Sequence, residues 1–290
     1  MHIPADNRED STLTVAGQAS RQTDEGKMLT VEHWQAGKKL TLAESKSGVR
    51  VTRHPLDNIV QTISTRLTPP ELLQKFYADS FCGRTPADDQ FARDGLGYYC
   101  NLQSLNSEDS LTWSIFGTLA HMSPEARHPI CTELFKQLEL PLPSENVLVW
   151  LWRRIPHPEK LESIGGPEID FGLMTPETLI LGEAKWNSPL GTCQGVNKDR
   201  SQLDLRLAYC EQLAPQTLPS VRHRVILGVG RSNDILPATV QSRSAQVRSL
   251  TWNQIASLFP APLAAEFERY LEWRRRHARE VVGPQQPERA

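Results

Sequence analysis

The sequence predicts a mixed α/β protein in which helices flank a central sheet. Two observations predict it. Segments with helix and strand patterns follow the order helix, three strands, helix, strand, strand, helix from about residue 105 onward. The chain has 290 residues, 39% of them hydrophobic, which suits one large domain or a core domain with a smaller appendage. No internal repeat is present.

Residues 1–25 are polar and acidic and are expected to be disordered. Segments 28–32, 39–42 and 49–52 alternate roughly and carry β-branched residues, so they read as short strands. Pro69 and Pro70 then open a short helix over 71–77. Asn106 or Ser107 can cap the next helix, and Glu108 and Asp109 suit its positive end. Leu111, Ile115 and Leu119 recur at helical spacing, and Glu108 continues their stripe toward incomplete solvation. A helix is expected over 129–138 and strands over 147–152, 168–174 and 179–186. There follow a helix over 201–213, a buried strand over 224–229, a short strand over 249–252 and a helix from 253. A long charged helix, 263–280, is expected to be exposed, ahead of a Pro/Gln/Arg tail. The organisation is thus an N-terminal region of unassigned role (26–100), a core (101–260), a charged C-terminal helix (261–282) and a tail (283–290).

The formal net charge of -2 neither predicts nor excludes a nucleic-acid partner, because local basic patches matter more than the sum. Arginines gather at 153–154, 222–248 and 274–276. Cys82, Cys100, Cys131, Cys193 and Cys210 are odd in number and form no CxxC pair, which argues for reduced, packed thiols. No apolar run suggests a signal peptide or a membrane span, so a cytoplasmic protein without a membrane partner is expected. No GxxxxGK[ST] loop or GxSxG element is present, which argues against an ATPase and a serine hydrolase.

The chemistry concentrates in one predicted hairpin. Thr175, Pro176, Glu177 and Thr178 suit a tight turn. If the hairpin is symmetric about residues 176 and 177, Met174 faces Leu179, Phe171 faces Gly182 and Asp170 faces Glu183. Directly opposed side chains share a face, with Cβ atoms about 4.5–5.5 Å apart. Lys185 projects from the same face two residues on, and a further step pairs Glu168 with Lys185. Two adjacent carboxylates repel unless a cation stands between them, and hard oxygen ligands favour Mg²⁺ or Mn²⁺. A lysine beside such a cation suits phosphodiester hydrolysis. An ordinary cross-strand salt bridge of Lys185 with Glu183 or Asp170 is the alternative. The apolar strand 179–181 favours the cation, since buried acids are rare unless paired or metal-bound. Gly172 and Gly182 are expected to leave room for a ligand.

Pro167-Glu168-Ile169-Asp170 followed by Glu183-Ala184-Lys185 resembles the PD-(D/E)xK nuclease superfamily, over roughly residues 105–255. The resemblance implies a restriction-endonuclease-like fold and Mg²⁺-dependent cleavage, with Mn²⁺ able to substitute. It implies that Asp170, Glu183 and the Ala184 carbonyl bind metal, that Lys185 positions the attacking water, that Glu108 binds metal directly or through water, and that Gln202 orients the site. The proline lies three residues before Asp170 rather than beside it. DNA is the expected substrate, RNA is an alternative, and a homodimer or partner protein is an open expectation. Two other functions stay open: a non-catalytic nucleic-acid-binding or interaction module, and a partner-dependent subunit of a defence or repair complex.

Supporting residues carry two readings each. Gln202, Arg206 and Tyr209 share a helix face, so Arg206 either contacts phosphate or forms a solvated salt bridge. Lys198 and Arg200 either clamp a phosphate backbone or are solvated. Trp186 either stacks on a base or packs.

Overall fold

The computed structural model describes residues 27–44, 48–66, 70–72, 75, 101–144, 146–158, 166–188, 190–191, 200–237, 242 and 244–278. The expected disorder of 1–25 and the tail 283–290 lie outside them. Of the helix expected over 71–77, residues 71, 72 and 75 are described and helical.

Alternating residues build the first sheet. β1 (Lys27–Glu32), β2 (Lys39–Glu44) and β3 (Arg50–Thr52) pair antiparallel in chain order. The two-residue period buries Leu40 and Leu42 and leaves Lys39 and Thr41 in solvent.

Ser107 caps helix α1 (Glu108–Thr112) by accepting from the Ser110 N–H. The chain continues through a π-turn (Trp113–Gly117) into α2 (Thr118–His121). Leu111, Ile115 and Leu119 are buried, as their spacing predicts. Ser114 and Thr118 donate their hydroxyls to the carbonyls of Ser110 and Ser114, at 2.6 and 2.7 Å, so these buried polar groups are satisfied locally. Helix α3 (Pro124–Gln137) starts earlier than the predicted residue 129. Ser123 caps it and Pro124 fills the first turn, a stronger start signal than Pro129, which lies inside the helix.

The second sheet holds β4 (Leu148–Arg154), β5 (Glu168–Met174), β6 (Thr178–Ala184), β7 (His223–Gly230) and β8 (Gln246–Thr251), adjacent in chain order. β4–β5 and β5–β6 are antiparallel, whereas β6–β7 and β7–β8 are parallel. The β5–β6 turn closes as expected, with the Thr175 N–H bonded to the Thr178 carbonyl and the Thr175 hydroxyl accepting the Thr178 N–H. A parallel step needs a crossover. Here α4 (Gln202–Gln212) and α5 (Ala214–Thr217) supply it between β6 and β7. β6 is the middle strand, and every residue in it is buried. The architecture is therefore mixed α/β. Helices α6 (Trp252–Ala256) and α7 (Ala261–His277) follow.

Alternation on β6 sends Ile180 and Leu181 into opposite apolar clusters. One cluster joins Trp34 and Leu42 of the first sheet to Phe116, Phe171, Ile180 and Phe267. The other joins Leu179 and Leu181 to Ile226, Tyr209 and Leu213. Cys131 and Cys210 are buried and free, and burial pushes both thiols up to about 12.

The C-terminal helix departs from the expected exposed rod. α7 buries Phe267, Tyr270, Leu271, Trp273 and Arg274. Arg274 donates to the carbonyls of Leu105 and Ser107, to the Ser110 hydroxyl and to the Tyr270 hydroxyl. It thereby ties α7 to the first turn of α1, the turn that carries Glu108. A run of arginines reads as solvated when no partner is visible in sequence; the partners here are backbone carbonyls 169 and 167 residues away.

The two glycines also differ from expectation. A Cβ on Gly172 would stand 2.0 Å from the Trp150 ring, and one on Gly182 would stand 2.3 Å from the Phe171 ring. They leave room for aromatic side chains, not for a ligand. Gly182→Ala should therefore destabilise the protein by about 1–3 kcal/mol through overpacking, measured by urea unfolding.

His33 gives a pH dependence. It is buried beside Trp34, and burial, then the Lys38 charge, lowers its pKa to about 4. The unfolded imidazole titrates near 6.5. The folded state thus binds fewer protons between these values, so stability present above pH 6.5 is lost as pH falls toward 4. The loss should be on the order of 1–3 kcal/mol, and His33→Gln should flatten it in melts at stepped pH.

Candidate functional site

Lys185 follows the last residue of the middle strand, and its backbone is held on both sides. Its N–H donates to the Val229 carbonyl at 2.8 Å, and its carbonyl accepts from Trp252 Nε1 at 2.8 Å. The ammonium lies 2.8 Å from Glu183 Oε1 and 3.1 Å from Glu108 Oε2. Burial pushes the Lys185 pKa down, but the charges of Glu183 and Glu108 outweigh it and raise the pKa above the usual lysine range.

Glu183 is 1% exposed. Its Oε2 forms a close ion pair with Arg206 Nη2. Its Oε1, despite the nearby ammonium, makes no hydrogen bond of usable geometry. Asp170 arrives from β5. The β5–β6 ladder pairs Met174 with Leu179 and Phe171 with Gly182, as the hairpin symmetry predicts, and ends there. Asp170 then reaches past the end of the ladder, and its Oδ2 accepts the Ala184 N–H at 2.7 Å. Burial and the Glu183 charge hold the Asp170 carboxyl well above the usual range, against Lys185, Arg206 and the Ala184 N–H. The N–H and C=O of a residue in an extended strand point to the same edge, so the Ala184 carbonyl points to the β5 edge as well.

Glu108 comes from the first position of α1. It accepts from the Trp186 N–H at 3.3 Å and closely from the Ser188 hydroxyl. Burial raises its pKa while Lys185 opposes the rise. The structure thus brings Glu108, Asp170, Glu183, Ala184 and Lys185 together. Asp170 and Glu108 also line a polar cleft of 280 Å³, with Asp109 and Ser188.

Other predicted residues stand elsewhere. Among the described residues Gln202 bonds none of these carboxylates; its Oε1 accepts the Gly191 N–H at 2.9 Å. Arg206 is 1% exposed and faces inward, away from any solvent phosphate. It donates to the carbonyls of Gln202 and Glu168, each at 3.0 Å, besides Glu183. The face shared by Arg206 and Tyr209 is the buried face of α4, so Arg206 holds the Glu183 carboxylate in place. Arg200 is half-buried just before the α4 cap, and Lys198 lies outside the described residues. Glu168 does not pair with Lys185, because the β5–β6 ladder ends before it; it contacts Lys75 at 2.8 Å and Arg154 at 3.9 Å. Trp186 is buried, with the Arg231 and Arg274 guanidinium groups each 5.5 Å from its ring centre, so it packs.

No protein family, curated protein or solved structure matches the chain. Function is read from the site's own geometry. Among the described residues, no helix is long and apolar enough to cross a membrane.

Two residues at the cleft carry no sequence signal of their role. Asp109, read in sequence only as a dipole partner, lies 3.4 Å from Lys75 Nζ. Lys75 comes from the helix expected over 71–77, far upstream, and nothing in its local sequence points to a partner near Asp109.

Among the described residues, no three His, Cys, Asp or Glu side chains form a ready metal cluster. The donor chemistry nevertheless fits a hard dication. Glu183 Oε1 is a buried carboxylate oxygen whose near neighbour is the Lys185 ammonium at 2.8 Å, and the Asp170 carboxyl is close enough to feel the Glu183 charge.

Proposed function

We propose that this site hydrolyses phosphodiester bonds, with DNA as substrate and Mg²⁺, or Mn²⁺ in its place, bound. The observation that carries the reading is the convergence of Glu108, Asp170 and Glu183 around the Lys185 ammonium at the edge of a cleft. The order helix, three strands, helix, strand supports it, as does the Phe171–Gly182 register. The cleft of 280 Å³ lies at the lower end of the roughly 300–1,000 Å³ typical of ligand sites. It suits one phosphate group of a polymer lying across it.

Glu183, Asp170 and the Ala184 carbonyl would hold the cation. Bound there, a dication supplies Lewis acidity and an activated water. Lys185 would hydrogen-bond an attacking water or a phosphate oxygen and offset charge growing there. Glu108 fixes the lysine from the far side. Arg206 fixes the Glu183 carboxylate, and Trp252 fixes the Lys185 backbone.

One observation favours a second reading, a non-catalytic interaction module. Both Glu183 oxygens already face side-chain cations, Arg206 and Lys185. Such a network can be purely structural. Thermal melts with Mg²⁺, Mn²⁺ or EDTA separate the two. A cation site gains stability by linkage, about 2.7 kcal/mol at a concentration one hundred times Kd. A melt indifferent to both metals would favour the module.

A further inference from the structure

Lys75 places a second, half-buried ammonium beside the cleft, against its lining residue Asp109. Its Nζ lies 2.8 Å from Glu168 Oε1 and 3.4 Å from Asp109 Oδ2. The Trp152 ring lies 5.0 Å away on another side, a cation–π distance. Trp152 reaches that place at a backbone cost. It has a φ of 49°, in the left-handed region that bulky side chains avoid. Its neighbours pair normally, Leu151 with Phe171 and Arg153 with Ile169, but the step between them, Trp152 opposite Asp170, is unpaired. The departure stacks the indole on Trp113, with ring centres 5.8 Å apart.

The carboxylates divide into two sets. Glu183 and Glu108 belong to Lys185. Asp109 and Glu168 belong to Lys75, which also feels the Asp170 charge. We propose that Lys75 is a resident counter-cation for the outer carboxylates, so that the cleft accepts one divalent cation rather than two. Lys75 thereby acts as a positioning residue: it leaves Asp170 to face a single ion shared with Glu183. It also makes a segment outside the predicted core part of the site. This inference rests on the proposed cation site.

The test counts bound Mn²⁺ on the full chain by electron paramagnetic resonance. Wild type should bind one ion. Lys75→Gln strips Asp109 of its cation, leaves Glu168 only the Arg154 contact at 3.9 Å, and should bind two, while Lys75→Arg keeps the charge and should bind one. One ion in both wild type and Lys75→Gln overturns the inference and leaves the nuclease reading standing. Two ions in wild type overturn it as well, and that result needs no variant if Lys75→Gln fails to fold. No ion in wild type sinks both the inference and the cation site beneath it.

Discussion

Arg206→Met should destabilise the protein by about 3–5 kcal/mol, as expected when one partner of a buried pair is removed. Arg206 and Glu183 are each 1% exposed, and they meet in a close ion pair. Without the guanidinium, Glu183 keeps its charge in an apolar strand with only Lys185 for compensation. The carbonyls of Gln202 and Glu168 also lose their donor. The double variant Glu183→Gln with Arg206→Met should recover much of the loss, because no uncompensated charge then stays buried. Urea unfolding of the single and double variants measures both effects. A loss under about 1 kcal/mol for Arg206→Met would place Arg206 outside the support of the site.

Lys185→Ala should reduce metal-dependent cleavage by about 10²–10³-fold or more, the usual effect of deleting a preorganised electrostatic group. The fold should survive, because the Val229 and Trp252 contacts are made by the Lys185 backbone and Arg206 still neutralises Glu183. Single-turnover cleavage of a DNA duplex, beside a circular dichroism melt, separates chemistry from stability. Unchanged cleavage would remove Lys185 from the mechanism.

Much of this site was legible because its logic is local. A two-residue period and a Thr-Pro-Glu-Thr turn suffice to set Phe171 against Gly182 and to bring Asp170 near Glu183. Helical spacing put Glu108 on the core-facing stripe of α1. Periodicity, however, says which residues share a face and not what faces them. Gln202, Arg206 and Tyr209 do share one, but it is the buried face. The arginine run of α7 likewise hides Arg274, whose partners lie at the start of α1. Gly172 and Gly182 were misread because the rings filling their space sit on neighbouring strands. Lys75 was illegible as a site residue: it lies 93 residues from Glu168, and a helix reading over 71–77 says nothing of what its side chain meets.

The most direct measurement incubates purified protein with supercoiled plasmid and with linear DNA, in Mg²⁺, in Mn²⁺ and in EDTA. A metal-dependent nuclease should nick or degrade DNA with either metal and leave it intact in EDTA. Intact DNA under every condition, or cleavage indifferent to EDTA, would contradict the metal-dependent site at Asp170, Glu183 and Lys185.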